Sequence, residues 1–181
     1  MKKIDKKRKE EIMDIVEKAG SDEYETSWDD DGAPVVLKKK SNIRKGRKSR
    51  AAGGRFELKV RKDQQEKGRI IDKWNNNVDL EEGKMIIAKR KYNPFTKAMT
   101  IGTGFPDFIS IKHIDKEMYS VIGIEVKMNG TLSKIEKEKC EWYLKNKIFS
   151  QILIARAVKN GRKIEIEYDD FLEKYGKTES L

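Results

Sequence analysis

Two carboxylates and one amine in the middle of the chain are the side chains best placed to do chemistry. Asp107 stands at the start of an apolar stretch at 108–112, and Glu125 and Lys127 lie two residues apart near the end of a second stretch at 119–128. Side chains alternate between the two faces of a strand, so Glu125 and Lys127 share a face and the residue between them points into the core. If the two strands pair, Asp107 reaches the same spot. Such a set can hold a hard cation on oxygen ligands and apply it to a phosphate.

Each of these residues also has an ordinary structural explanation. Asp107 follows a proline and is a common turn residue, and Glu125 and Lys127 would suit the exposed face of a strand. The second stretch is nevertheless apolar on both faces, as a central strand would be, at Val121, Ile122, Ile124 and Val126. Charged side chains at the end of a buried strand need a partner, and this favours a metal site.

Hydrophobic patterning predicts the elements that would position these residues. We predict further helices at 4–19, 55–67, 133–147 and 169–175, and further strands at 69–74, 84–91, 152–158 and 163–168. The third of these helices carries a capping box, because Glu136 follows Ser133 by three residues. The strand at 152–158 is almost continuously apolar and suits a central place in a sheet, whereas the alternation at 163–168 suits an edge.

Two charge runs separate the first helix from the rest of the chain. Residues 22–31 are acidic, and residues 38–50 are basic and are interrupted by a glycine and serines. We predict that the basic run is flexible and suited to contact with phosphates, with a solvated linker as an equally good explanation. We place the domain boundary near Ala51. Residues 1–50 then form an N-terminal helix with a charged linker, and residues 51–181 form one domain.

Composition limits the classes of protein that the chain can belong to. The net charge is +10 and the pI is near 9.5, so the chain attracts polyanions, nucleic acid first among them. We expect no membrane span and an intracellular location, since no long apolar run and no apolar signal core are present. One cysteine and one histidine exclude an internal disulfide framework and a structural zinc site.

A second group of residues has the character of a nucleic-acid contact. Lys89, Arg90 and Lys91 are followed by aromatic residues, which suits backbone contact combined with stacking. We favour contact with DNA for the cations and packing on the body of the domain for the aromatic residues. Thr103, which lies between two glycines, is a further candidate contact. The Gly102–Gly104 segment lacks the Lys-Ser/Thr of a nucleotide-binding loop, so we exclude nucleotide hydrolysis and expect these glycines to allow a close backbone approach.

These motifs resemble those of the PD-(D/E)XK nuclease superfamily. Pro106-Asp107 is similar to the first half of its signature and Glu125-Val126-Lys127 to the second, and residues 123–133 are similar to the VRR-NUC pattern after the catalytic strand. Archaeal-type Holliday junction resolvases are the other branch that the chain resembles, over about residues 54–158. The resemblance implies an α/β fold with a restriction-endonuclease-like core, a mixed central β-sheet flanked by helices in the order αβββαβ.

The resemblance also implies roles for individual residues. Asp107 and Glu125 would ligate Mg²⁺, with Mn²⁺ as a substitute and the main-chain carbonyl of Val126 as a further ligand. Lys127 would position or deprotonate the attacking water. Glu57 would match the acidic residue that helps to bind a second ion in resolvases, which work as homodimers. The family often carries Gln on the helix after the catalytic strand, where this chain has Glu136.

Three functions remain open at this point. The leading hypothesis is a Mg²⁺-dependent endonuclease that hydrolyses DNA phosphodiester bonds, with branched junctions as the substrates that the resemblance suggests. The second is a non-catalytic DNA-binding protein on a nuclease-like scaffold, in which the basic residues at 38–50 and 89–91 make the contacts. The third is an RNA-directed nuclease, because nothing in the residues distinguishes the sugar.

Overall fold

The computed structural model describes residues 6–93, 98–101 and 104–176, and it divides the chain into two compact units. The first unit ends at Ala52 and the second begins at Gly53. Among the described helices, none combines the length and the apolar character that crossing a bilayer requires.

The first unit consists of a helix, a hairpin and the start of a long second helix. The elements are α1 (Lys6–Gly20), β1 (Tyr24–Trp28), β2 (Pro34–Lys39) and the first part of α2 (Lys40–Glu66). The two strands pair antiparallel, and the side chain of Asp29 caps the turn between them by accepting from the main-chain N–H of Ala33 at 2.6 Å. The acidic run therefore lies largely in the strand and turn of a hairpin.

The prediction that the basic run is a flexible linker is wrong, because residues 40–50 are helical. No proline interrupts the chain between Pro34 and Pro94, and the run is rich in Lys and Arg, which are good helix formers. The helix predicted at 55–67 is the second half of this longer helix. There α2 buries a stripe at four-residue spacing (Phe56, Val60 and Gln64). The helix stops as predicted at Gly68, which has φ +72 in the left-handed region.

In the part of the chain that the structure describes, the second unit continues with nine strands and two helices. They are β3 (Ile70–Lys73), β4 (Asn77–Asp79), β5 (Lys84–Ile86), β6 (Arg90–Asn93), β7 (Ala98–Ile101), β8 (Phe108–Asp115), β9 (Met118–Val126), α3 (Lys134–Lys145), β10 (Gln151–Asn160), β11 (Lys163–Asp170) and α4 (Phe171–Tyr175). The single strand predicted at 84–91 is instead split between two hairpins. The side chain of Asn76 accepts from the main-chain N–H of Ala88 at 3.0 Å and takes up a donor that a continuous strand would use.

Five of these strands form one mixed sheet in the order β11-β10-β9-β8-β3. Only β9 and β10 are parallel, and α3 makes the crossover between them. The α/β class is confirmed, as are the hairpin of β8 and β9, the interior place of β10 and the edge place of β11.

Two apolar clusters cover the two faces of this sheet. One gathers Cys140 and Tyr143 of α3 with Ile152 and Ile154 of β10. The other gathers Phe56 and Val60 of α2 with Phe108 of β8 and with Ile122 and Ile124 of β9. Full burial of such a side chain contributes about 2 kcal/mol, so the clusters hold the ends of β8 and β9 in fixed positions.

Candidate metal centre

The hairpin of β8 and β9 brings Asp107 and Glu125 together. Phe108 pairs with Ile124, so the residue before β8 lies opposite Glu125. The main-chain N–H of Asp107 donates to Oε2 of Glu125 at 3.1 Å, and Oδ2 of Asp107 accepts from the main-chain N–H of Val126 at 3.0 Å. The two carboxylates are thus fixed by reciprocal bonds between the loop and the strand, as the strand pairing predicted.

These two acids are poorly hydrated. Glu125 is only 4% exposed, and burial, followed by the charge of Asp107, raises its pKa to about 7. Burial also raises the pKa of Asp107, although the N–H of Val126 and the charges of Lys73 and Lys127 act in the opposite direction. Two partly desolvated carboxylates side by side repel each other, and a cation between them would relieve that repulsion.

Lys127 lies on the same face as Glu125, as strand alternation predicted. Its Nζ is 3.0 Å from Oε1 of Glu125 and 2.6 Å from Oε1 of Glu136. Burial alone would lower the pKa of Lys127, but the hydrogen bonds and charges of the two glutamates outweigh it and raise that pKa. The ammonium is therefore held in its charged form between two carboxylates.

Glu136 connects this lysine to the start of α3. Its Oε2 accepts from the main-chain N–H of Ser133 at 2.7 Å, while Oγ of Ser133 accepts from the N–H of Glu136 at 3.4 Å, which completes the predicted capping box. Burial would raise the pKa of Glu136, but the hydrogen bonds from Lys127 and Ser133 lower it. One carboxylate therefore caps the helix and also holds Lys127.

Glu57 does not join this group. It lies in α2, and its Oε2 is 2.6 Å from Nζ of Lys73, which also lies 4.4 Å from the centre of the Phe108 ring. The charges of Glu57 and Lys73 reach Asp107 only through space. We did not predict a role for Lys73 from the sequence. The only sign of it there was a charged residue near the end of a strand, and the structure pairs this residue with Phe108.

Glycine contacts explain how the loop before Asp107 is held. A Cβ on Gly104 would lie 2.1 Å from the carbonyl oxygen of Trp74, and one on Gly123 would lie 2.8 Å from Cγ of Pro106. The expected close backbone approach is therefore confirmed at Gly104. The main-chain N–H of Trp74 also donates to the carbonyl of Asp107 at 3.1 Å, so the end of β3 supports the loop.

The predicted nucleic-acid contacts are only partly described. Lys89 and Arg90 are exposed, and Lys91 belongs to β6, although its side chain is outside the described set. Thr103 lies outside the described residues, so that prediction stays untested. Nothing in the described geometry joins these residues to Asp107.

The resemblance implies Mg²⁺ or Mn²⁺ at this site. Within residues 6–93, 98–101 and 104–176, no three His, Cys, Asp or Glu side chains gather as a group that could hold a metal ion. The side chains that could ligate the ion are therefore the carboxylates of Asp107 and Glu125. They are anionic oxygen donors, close together and partly desolvated, and a hard ion such as Mg²⁺ or Mn²⁺ fits them because it needs few protein ligands and keeps several waters.

No protein-family model, no curated protein and no solved structure matches this chain. The resemblance to the PD-(D/E)XK nucleases, and with it the restriction-endonuclease-like core, therefore stays a prediction.

Proposed function

We propose that this protein is a Mg²⁺-dependent endonuclease of the PD-(D/E)XK type, with a restriction-endonuclease-like core. The observation that supports the proposal best is the meeting of Asp107, Glu125 and Lys127 at the end of the central strand β9. The order of α2, β3, β8, β9, α3 and β10 also agrees with the order αβββαβ, with two small hairpins between β3 and β8.

In this proposal the two acids bind the ion and the lysine acts on the phosphate. Asp107 and Glu125 would hold Mg²⁺ or Mn²⁺, with the carbonyl of Val126 as a further ligand. When bound, such an ion supplies a water of lowered pKa and relieves charge on the phosphate oxygens. Lys127 is held as an ammonium by two carboxylates, so we assign it the electrostatic role: it orients the water and stabilises developing negative charge.

The proposed substrate is DNA. A net charge of +10 and the exposed cations Lys89 and Arg90 suit a polyanionic substrate, and the family resemblance adds branched DNA and a homodimer to the proposal. A location inside the cell agrees with such a substrate.

The composition of the site also supports a second candidate, a DNA-binding protein without catalysis. No three potential metal ligands gather among the described residues, and Glu57 is paired with Lys73. In that case the chain would bind DNA with a strong dependence on salt and would leave every phosphodiester bond intact.

Cleavage assays separate these candidates. Supercoiled plasmid and labelled single-stranded, duplex, flap and four-way DNA, together with an RNA duplex, are incubated with Mg²⁺, with Mn²⁺ or with EDTA. We expect metal-dependent cleavage of DNA by the wild type, none by Asp107→Asn or Glu125→Gln, and retained DNA binding by both. Asp115→Asn, which changes an exposed acid on the same hairpin, is the matched control. Full activity in the first two variants would refute the proposed site, and binding without cleavage by the wild type would establish the second candidate.

A further inference from the structure

The part of α2 that lies in the first unit belongs to an unusually basic stretch. Residues 38–50 contain eight lysines and arginines and no acidic residue. The helical residues Arg44, Lys45, Arg47 and Lys48 are all exposed.

These cations lack the ion pairs that occur farther along α2 and just beyond its end. Beyond Gly53, Lys62 is 3.7 Å from Glu66 and Lys67 is 2.8 Å from Asp63. Among the described residues, no carboxylate lies within 4 Å of a lysine or arginine in 38–50. Like charges four residues apart on a helix, such as Arg44 and Lys48, repel each other and destabilise it. A polyanion along the helix would remove that cost.

The hairpin of the first unit leaves this basic face open. A groove of about 640 Å³ is lined by residues of the hairpin (Tyr24, Glu25, Leu37, Lys38 and Lys39) and of α2 (Asn42, Ile43, Gly46 and Arg50). At 3.6 residues per turn, Arg44 and Lys48 fall on the side of the helix opposite to those four residues of α2. One face of the helix is thus turned to the hairpin, and the opposite face carries unpaired positive charge.

We propose that this face of α2, centred on Arg44 and Lys48, is a docking surface for duplex DNA that acts without any metal. Its lysines and arginines contact phosphates on the two strands that border the major groove. The proposal goes beyond the proposed catalytic function and does not depend on it, because neither residue belongs to the acidic centre at Asp107.

The shape and composition of the face favour duplex DNA over other polyanions. The major groove of B-DNA is about 12 Å wide and admits an α-helix, whereas the deep, narrow major groove of an RNA duplex does not admit side chains. A membrane surface would require apolar residues beside the cations. In residues 40–50 the one large apolar residue is Ile43, which lines the groove toward the hairpin.

The test is a binding measurement on the full chain in EDTA. Fluorescence anisotropy with a labelled DNA duplex of about two helical turns is recorded over a range of salt concentrations. The double variant Arg44→Gln/Lys48→Gln is compared with Arg162→Gln/Lys163→Gln, which removes the same charge from the exposed end of the turn after β10 and the exposed first residue of β11. Gln is a good helix former, and circular dichroism checks that α2 is retained.

We expect the first double variant to bind several-fold more weakly and its plot of log K against log salt to be less steep by about 1.8, or 0.9 for each lost phosphate contact. The control should keep the slope of the wild type. Equal slopes in the two double variants would overturn the proposal. Tighter binding of an RNA duplex or of anionic lipid vesicles than of duplex DNA would overturn the assignment to DNA. Because no metal is present, the outcome is separate from that of the cleavage assay.

Discussion

The main-chain N–H of Asp107 donates a 3.1 Å hydrogen bond to the carboxylate of Glu125. The adjoining bond, from the N–H of Val126 to the carboxylate of Asp107, measures 3.0 Å. The loop therefore donates to the acid of the strand, and the strand donates to the acid of the loop. The two carboxylates are thus held in position before any ligand binds. Preorganisation of this kind suits a site that must stabilise charge during a reaction.

The raised pKa of Glu125 predicts how the stability of the metal-free protein changes with pH. Its ordinary pKa is 4.5 and its pKa in the fold is about 7, so the folded state binds the proton more tightly. The associated stability is fully present below pH 4.5 and is lost as the pH rises toward about 7. In EDTA at pH 8, we expect Glu125→Gln to be more stable than the wild type by roughly 1–3 kcal/mol.

Urea denaturation at pH 8 and pH 4.5 measures this difference. Most of the gain of the Gln variant over the wild type should disappear at the lower pH, where Glu125 is protonated in the folded state and about half protonated in the unfolded state. Glu117→Gln, at an exposed position in the turn before β9, is the control and should show no such trend. A gain that does not vary with pH would contradict the assigned cause.

Glu136 should matter to cleavage beyond its part in capping α3. Ser133→Ala and Glu136→Ala both break the capping box, so each should lower the free energy of unfolding by about 1 kcal/mol. Only Glu136→Ala removes the 2.6 Å contact to Lys127. We therefore expect cleavage to fall at least about tenfold in Glu136→Ala and to stay close to wild type in Ser133→Ala.

Glu136→Gln refines this comparison, because its amide oxygen can still accept from Lys127. We expect its cleavage rate to lie between those of the wild type and the Ala variant. Equal rates for Ser133→Ala and Glu136→Ala, measured under conditions where both are folded, would assign Glu136 to helix capping alone.

The glycines of α2 and β9 should respond in opposite ways to alanine. A Cβ on Gly53 or Gly54 meets nothing within 4 Å, and Gly costs a helix about 1 kcal/mol relative to Ala. Gly53→Ala/Gly54→Ala should therefore raise the free energy of unfolding by about 1–2 kcal/mol. Gly123→Ala should lower it by about 1–3 kcal/mol, because the new Cβ would lie 2.8 Å from Pro106. Thermal unfolding measures both, and a stabilised Gly123→Ala would show that the loop before Asp107 is not tightly held.

Local sequence signals accounted for the part of the fold that surrounds the acids. Alternation placed Glu125 and Lys127 on one face, and the spacing of Ser133 and Glu136 identified the start of α3. These features depend on neighbours in the chain, so a single sequence contains them.

Features that depend on distant contacts were missed. The basic run has the composition of both a solvated linker and a charged helix, and in the structure it is continuous with the part of α2 that buries Phe56 and Val60. The contact between Lys73 and Glu57 joins two residues that are 16 positions apart in the chain, and no local pattern indicates it. The prediction of a strand at 84–91 was wrong, because the main-chain N–H of Ala88 donates a hydrogen bond to the side chain of Asn76, a residue outside the segment.

Equilibrium metal binding tests the central claim most directly, because it examines the acids without relying on cleavage. Calorimetric titration of the full chain with Mn²⁺ and with Mg²⁺ is compared among the wild type, Asp107→Asn, Glu125→Gln and the control Asp115→Asn. We predict saturable binding by the wild type and the control, weakened at least about tenfold in the other two variants. Binding of equal affinity in all four proteins would contradict a metal centre at Asp107 and Glu125.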